Sequence, residues 1–589
     1  MNKAFKNHLH ECDLCIVGGG LSGMCAGIAA ARHGMSVVIM QDRALFGGNA
    51  SSEIRMWVSG ASGKDCRETG IIEEIMLENL YRNPERGYPI WDSILYEFVM
   101  NEKNITSILN CSCLDAEMES GEIKSVTGWQ TTTQSFHTVK AKYFADCSGD
   151  SVLAPLTNAE FRLGRESRSE FNESIAPVNA DKKTMGLTCL ITAREVERKI
   201  KFIPPEWANK YTRADLEPYR IPDMNDPSEN YWYMELGGED DSIADTEILR
   251  DKLLRVAFGI WDYIKNSGDY DADYWSLDFV GFLPGKRESR RYVGDHILTQ
   301  NEVRDLGRFE DTVAFGGWPM DDHNPAGIAT KESPTIFHKA PAQYGIPYRC
   351  LYSKNIGNLF FAGRNISTTH TAMSSTRVMA TCALLGQAIG TAASIAKKYA
   401  TDPRGVYECH IDELKNTLME DDSYLPGNKL SSSALTKRGK LSTSGMYAEK
   451  LINGHARPIG DEENAWVGKL GDYIELTFDS PEKISEIRLT LDSDLNRQTV
   501  GADGYVHRKA TVANVSRNMP LVHLPKTLIS DIRVEVLSEN GEWKYAARIS
   551  DNRRRVAYIR LNETSRAVRI IPEKSYGNEE VRIFTLDVR

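Results

Sequence analysis

The sequence lacks a long basic run, an unbroken apolar run, a cysteine-rich stretch and any internal repeat, and each absence removes a class of function. Formal net charge is −11 with no basic cluster, so neither nucleic acid nor a polybasic membrane patch is expected as partner. A small-molecule substrate is expected instead. The longest apolar segment, residues 380–395, is interrupted by Gly386, Gln387, Gly390 and Thr391 and reads as too short and too polar to span a bilayer. Residues 1–11 are polar and run into a strand, leaving no apolar stretch for a signal peptide, and a cytoplasmic location follows as the expectation. Eleven cysteines are an odd and sparse number for 589 residues, consistent with reduced thiols. Cys12 and Cys15 form a C-x-x-C, but residues three apart on a strand point to opposite faces, which disfavours a redox pair. Cys111 and Cys113 share a face without a second pair or a histidine to complete a zinc set, so they read as core and no metal is expected. No cysteine cluster supports an iron–sulfur relay.

What is present reads as a folded chain of two or three domains, because 589 residues exceed one hydrophobic core and 41% of them are hydrophobic. Residues 13–17 form a short apolar strand, Gly18-Gly19-Gly20-Leu21-Ser22-Gly23 a glycine turn, 24–33 an alanine-rich helix ended by Gly34, and 36–40 a second strand. That succession is a dinucleotide-binding unit: Gly18 permits the tight turn, Gly20 lets backbone approach a pyrophosphate, and Gly23 lets the helix pack on the strand. Short strand-like pieces over 105–143, with a turn at 119–122, suggest an inserted antiparallel meander, and residues 146–150 a second glycine turn. From about 160 to 340 Trp and Tyr accumulate (Trp207, Tyr231, Trp232, Tyr233, Trp261, Tyr274, Trp275), suggesting a separate substrate-facing domain in which most of these rings fill a core. Residues 358–364 read as a buried strand ending in a glycine turn, and 374–397 as one long helix that returns to the first domain. After a linker at 421–444, strand-length segments at 473–478, 484–491, 532–537 and 567–571, with a turn at Asn540-Gly541, read as an all-β sandwich. The expected fold is therefore α/β: a Rossmann-type nucleotide domain (10–160 and 341–420) with an inserted α+β substrate domain (161–340), followed by a β-sandwich (445–589).

Four segments in order, Val-Gly-Gly-Gly-Leu-Ser-Gly at 17–23, Gly-Gly-Asn-Ala-Ser-Ser-Glu-Ile-Arg at 47–55, Gly-Lys-Arg-Glu-Ser-Arg-Arg at 285–291 and Asn-Leu-Phe-Phe-Ala-Gly-Arg-Asn-Ile-Ser at 358–367, resemble the FAD-dependent oxidoreductase family. That family is related in fold to the fumarate reductase and succinate dehydrogenase flavoproteins, and the resemblance covers about residues 10–400. It implies that Gly18, Gly20 and Gly23 receive the pyrophosphate of FAD and that Gly47, Gly48, Asn49 and Ser52 lie along the cofactor. It further implies that Asp150 closes the second turn, that Gly363, Arg364 and Asn365 sit near the ribityl and pyrophosphate, and that a helix begun near Ser374 points at the flavin ring. Two departures stand out. Gln41 occupies the strand end where an acidic residue usually holds the ribose, and Asp42 follows it; either can take the role. No histidine lies within 47–55, so FAD is expected to be non-covalent. Residues 445–495 resemble discoidin-like, galactose-binding modules, which bind sugar in some proteins and serve in others as structural or dimer-forming domains, leaving a homo-oligomer open.

For chemistry, His370 is the candidate base that accepts a hydroxyl proton while hydride leaves for flavin N5, set against an ordinary loop histidine. Arg291 and Arg377 are candidate carboxylate clamps, whereas Arg290 reads as pairing with Glu288, Asp295 or phosphate. Three functions compete: oxidation of a hydroxyl-bearing carbohydrate or its acid, reduction of an unsaturated carboxylate, and non-catalytic carbohydrate binding with a structural flavin. Only one G-x-G-x-x-G occurs, so the electron partner is expected to be oxygen, a quinone or another protein.

Overall fold

The computed structural model describes residues 4–497 and 509–589; residues 1–3 of the polar N-terminal stretch and 498–508 of the sandwich region lie outside the described residues. The nucleotide-binding half is built from β1 (Lys6–Val17), α1 (Leu21–Arg32), β2 (Val37–Met40), β3 (Ile105–Ile108), β4 (Cys111–Glu119), β5 (Glu122–Gln130) and β6 (Ser135–Asp146). Strands β3, β2, β1 and β6 lie side by side in that order, all parallel, and Leu359–Phe361 extends the parallel set along the end of β6. β1 begins seven residues earlier than its apolar core suggests. Its polar half is held by backbone pairing with β6, from Lys6 opposite Ser135 onward, rather than by burial. β4, β5 and the first half of β6 form the expected meander, but β3 belongs to the parallel set because it pairs with β2. Cys12 and Cys15 are free thiols, Cys15 fully buried.

The helix Met379–Tyr399 lies on α1, and the approach is backbone to backbone: a Cβ on Gly386 would stand 2.0 Å from the Ser22 carbonyl oxygen. This helix corrects the reading of 380–395. At 21 residues, with a mean hydropathy of 1.4, it is long and apolar enough to cross a membrane, yet 89% of that stretch is buried inside the protein. The expected single helix at 374–397 is two helices, His370–Thr376 and Met379–Tyr399, separated where Val378 is extended (ψ 143°).

The chain divides into two compact units. Among the described residues, the first holds 4–62, 85–415 and 509–521; the second holds 63–84, 416–497 and 522–589. Within the first, the aromatic-rich segment has its own core around the helix Thr246–Asn266, where Leu253, Ile260 and Trp261 pack with Tyr231 and Tyr233. Tyr231, Tyr233 and Trp261 are core and Trp232 and Trp275 pack against them, whereas Tyr274, expected as core, is exposed; the segment shares one unit with the nucleotide-binding half. In the second unit, strands Trp466–Lys469, Glu580–Val588, Ile474–Leu491, Val556–Ser575, Ile529–Leu537 and Trp543–Ile549 neighbour one another in that order and bend into a β-sandwich around Trp466, Ile487, Val534 and Val568. The segments expected as separate strands at 473–478 and 484–491 are one long strand whose register with Val556–Ser575 breaks between Thr477 and Glu482. The linker expected at 421–444 is in part structured, because Ala434–Arg438 is helical and Lys440–Thr443 pairs with Ile474–Leu491. The helix Ile71–Arg82 joins this unit too, placing Leu77 in the sandwich core.

Candidate active site

The glycine turn after β1 is shaped by contacts that exclude side chains. Gly18 has φ +104°, and a Cβ there would stand 2.4 Å from the carbonyl carbon of Cys147, at the end of β6; Gly23 packs against the Gly18 carbonyl. At Gly20 the direction of a Cβ is open, with only the Gly48 Cα at 4.0 Å. Gly20 caps α1 without a side-chain partner and no acidic residue occupies the first turn, so the positive helix end faces that opening. Gly47 N donates to Gly19 O at 2.9 Å, which locks the second glycine loop against the first. A pyrophosphate fits this cradle.

Gln41 serves the turn. Its Oε1 accepts from Gly19 N at 2.6 Å and its Nε2 donates to Leu45 O at 3.2 Å, so both polar ends are committed. Asp42 is exposed, with Arg43 Nε at 3.7 Å. Asn49 Nδ2 donates to Lys286 O at 3.0 Å, and Ser52 N to Asp92 Oδ1 at 3.1 Å. Asp150 receives Lys286 Nζ at 2.8 Å, Arg364 Nη2 at 2.6 Å and Ser289 Oγ at 2.8 Å. Burial alone would raise its pKa, but the Arg364 and Lys286 charges outweigh burial and bring it down to about 2. Gly363 (φ +124°) leads into Asn365, whose Nδ2 lies 3.4 Å from Asp146 Oδ1 and whose buried Oδ1 has no hydrogen-bond partner. An unmet acceptor beside these turns is what a hydroxyl-rich ribityl chain satisfies. Ser374 departs from expectation: it lies within the short helix, its Oγ donating to Thr371 O at 2.6 Å, and no helix begins there.

His370 is enclosed by carboxylates. Its Nδ1 lies 2.9 Å from Glu288 Oε2, its Nε2 lies 3.3 Å from Asp322 Oδ1, and its backbone N donates to Glu166 Oε2 at 2.8 Å. Burial alone would lower the imidazole pKa; the Glu288 charge and the bonds to Asp322 and Glu288 reverse that and raise it to about 9. The raised pKa favours the imidazolium at neutral pH, which counts against His370 as the resting base. Glu288 and Asp322 are correspondingly held below the usual carboxylate range by His370, against the opposing effect of burial. Arg291 is corrected as well: it is wholly buried, with Nη2 2.9 Å from Glu166 and Nη1 3.4 Å from Glu288, so it holds the two carboxylates that hold His370. Arg290 donates to the Asp150 carbonyl at 3.3 Å and leaves Glu288 to His370.

The strand Met320–His323 supplies residues that sequence reasoning missed. Alternation sends Asp322 to His370 and sends Asp321 and His323 to the other face. There His323 lies between Glu235 at 2.7 Å and Asp321 at 3.2 Å, Arg287 stands 3.4 Å from Glu235, and Arg377 pairs with Asp321 at 3.0 Å. Arg377 thus sits beside this cluster with its Nε unpartnered. The Asp-Asp-His run that follows Trp318-Pro319-Met320 was the available signal. Among the described residues no group of three or more His, Cys, Asp or Glu is arranged to hold a metal ion.

The interlocked glycine turns and the buried charged cluster belong to one compact unit built on a parallel sheet. Residues 13–418, more than half of the chain, match the FAD dependent oxidoreductase family, and the chain belongs to that family. It is an FAD-dependent oxidoreductase. No curated protein matches the sequence. Among solved structures, the chain is similar to the family 32 carbohydrate-binding module of Streptococcus pneumoniae EndoD at 13% identity, covering 26% of this chain and 97% of that one, with a TM-score of 0.19. It is also similar to the C-terminal domain of a Bacteroides fragilis chitobiase at 17% identity, covering 28% and 97%, with a TM-score of 0.18.

Proposed function

We propose that the enzyme oxidises a hydroxyl of a carbohydrate or carbohydrate acid, with Asp322 in place of His370 as the group that receives the hydroxyl proton. The observation that carries this reading is the row Glu288, His370, Asp322, whose ends differ in exposure: Glu288 is 0% exposed and Asp322 23%. An ionised carboxylate at the accessible end takes the O–H proton as the C–H pair leaves, and the imidazolium behind it fixes its orientation. Bound FAD supplies the two-electron acceptor for that hydride. Gly18, Gly20, Gly23, Gly47, Gly48 and the Gly363–Asn365 turn hold the cofactor in this reading, with Asp42 as the acidic residue at the strand end. The absence of a histidine in 47–55 supports non-covalent attachment, and acid precipitation that leaves the flavin in the supernatant is the expected outcome.

A second reading rests on the same imidazolium, which is also a proton donor: with Arg377 nearby, it suits reduction of an unsaturated carboxylate. Anaerobic mixing with sugars, sugar acids and hydroxy acids separates the two. Bleaching of the flavin absorbance by one of these classes is expected; no bleaching, with reoxidation of dithionite-reduced enzyme by unsaturated acids, favours the reductase.

A further inference from the structure

Residues 509–521 lie in sequence between strands of the sandwich yet build into the first unit. Asn514–Val515 pairs in parallel with Ile191–Glu195, Asn514 opposite Ala193. Ala193 N donates to Ala513 O at 3.1 Å, the Ala513 and Asn514 amides both donate to Pro227 O at 3.0 Å, and Arg517 pairs with Glu195 at 3.1 Å. So held, the segment brings Lys509 onto Trp57, with Nζ 3.2 Å from the ring centroid. Trp57 lies two residues past Arg55, at the end of the second glycine loop.

The two carboxylates that act on Lys509, Asp226 and Glu229, are engaged elsewhere. Asp226 Oδ1 accepts from Ser228 N and Oγ at 2.8 and 2.7 Å; Glu229 accepts from Tyr231 N at 2.6 Å and from the Tyr233 hydroxyl at 3.1 Å. Among the described residues the Lys509 ammonium has no hydrogen-bond acceptor, and the residue is half-buried. Burial lowers its pKa to about 8, opposed by the two carboxylates, so it remains mostly charged at pH 7. An oxyanion on a ligand gives this partly desolvated ammonium the acceptor it lacks. On Met56, the residue before Trp57, Asn230 Nδ2 lies 3.5 Å from Sδ, and the buried Asn230 Oδ1 has no hydrogen-bond partner among the described residues and can accept from a ligand hydroxyl. The same run continues to Trp232, whose ring meets His323 at 5.3 Å, on the face of the strand opposite Asp322.

We propose that Lys509, delivered by the 509–521 segment, binds a carboxylate of the substrate, which makes a sugar acid, uronic or aldonic, the substrate class. This rests on the reading of the site as one for hydroxyl oxidation. Calorimetric titration of the full-length, FAD-loaded protein with D-glucuronate, D-gluconate and D-glucose at fixed ionic strength tests it. At least one acid is expected to bind about tenfold or more tighter than glucose, and Lys509→Met to remove most of that preference while Lys509→Arg retains it, as charge-assisted bonding requires. Equal binding of acid and sugar by the wild type, no binding of either acid, or an undiminished preference in Lys509→Met overturns the proposal; the wild-type comparison holds even where a variant fails to fold. Following the same mixtures anaerobically keeps the two readings apart. Bleaching by glucose without any preference for acids sinks the Lys509 assignment alone, and Lys509-dependent binding of acids without bleaching sinks hydroxyl oxidation alone.

Discussion

At the scale of residues, the charge on His370 is the feature with the clearest consequence. Its pKa is raised from 6.5 to about 9, so the stability it contributes is fully present below about pH 6.5 and is lost as pH rises through about 9. Thermal unfolding followed between pH 6 and 10 is expected to show the loss, about 3 kcal/mol in all. Substrate-driven flavin reduction is expected to fall over the same rise if the imidazolium orients Asp322; a rate that climbs through pH 9 restores His370 as the base. Asp322→Asn is expected to retain FAD and slow that reduction by roughly 10²–10⁴-fold, measured by anaerobic stopped flow. The residue type of His370 was legible because it precedes the returning helix in a threonine-rich run. Its charge was not, since Glu288 and Asp322 lie 82 and 48 residues away in sequence and only the fold brings them to one imidazole. Arg291 was misread for the same reason: the arginine is visible, its burial against Glu166 is not.

At the scale of elements, the glycine turn and the α1 contact with Met379–Tyr399 decide whether a nucleotide site exists. Strand, glycine turn, helix and strand were legible because apolar runs and glycines alternate at the spacing the unit requires. The break at Val378 and the early start of β1 were not, because the first is marked by no glycine or proline and the second depends on pairing with β6. Gly20→Val fills the one direction in the turn left open and is expected to yield folded protein without FAD; normal flavin content would contradict the placement of the pyrophosphate. Gly386→Leu acts differently, since its Cβ would meet the Ser22 carbonyl at 2.0 Å and force the two helices apart. The expected result is loss of flavin together with destabilisation of about 3 kcal/mol, measured by denaturant unfolding.

At the scale of the whole molecule, the succession of an α/β part and a β part was legible, but the way the chain is shared was not. An amphipathic helix such as Ile71–Arg82 announces a buried face without saying which core receives it, and here Leu77 enters the sandwich core. Likewise Asn514–Val515, read from sequence as part of the β module, completes the sheet edge at Ile191–Glu195 in the first unit. Each unit therefore needs chain from both sides of the boundary at 415. Deletion of residues 416–589 removes the core that buries Leu77 and takes away the strand on Ile191–Glu195, leaving an apolar helix face and an unpaired edge. The truncated protein is expected to aggregate or to fold without substrate binding, measured by solubility, gel filtration and flavin content. Trp466→Ala is the gentler counterpart: it empties a fully buried site in the sandwich and is expected to cost about 3–5 kcal/mol in that unit. A soluble, flavin-loaded 1–415 fragment with wild-type binding of sugar acids would mean that 63–84 does not depend on the second unit and that the first unit does not need 509–521, Lys509 included.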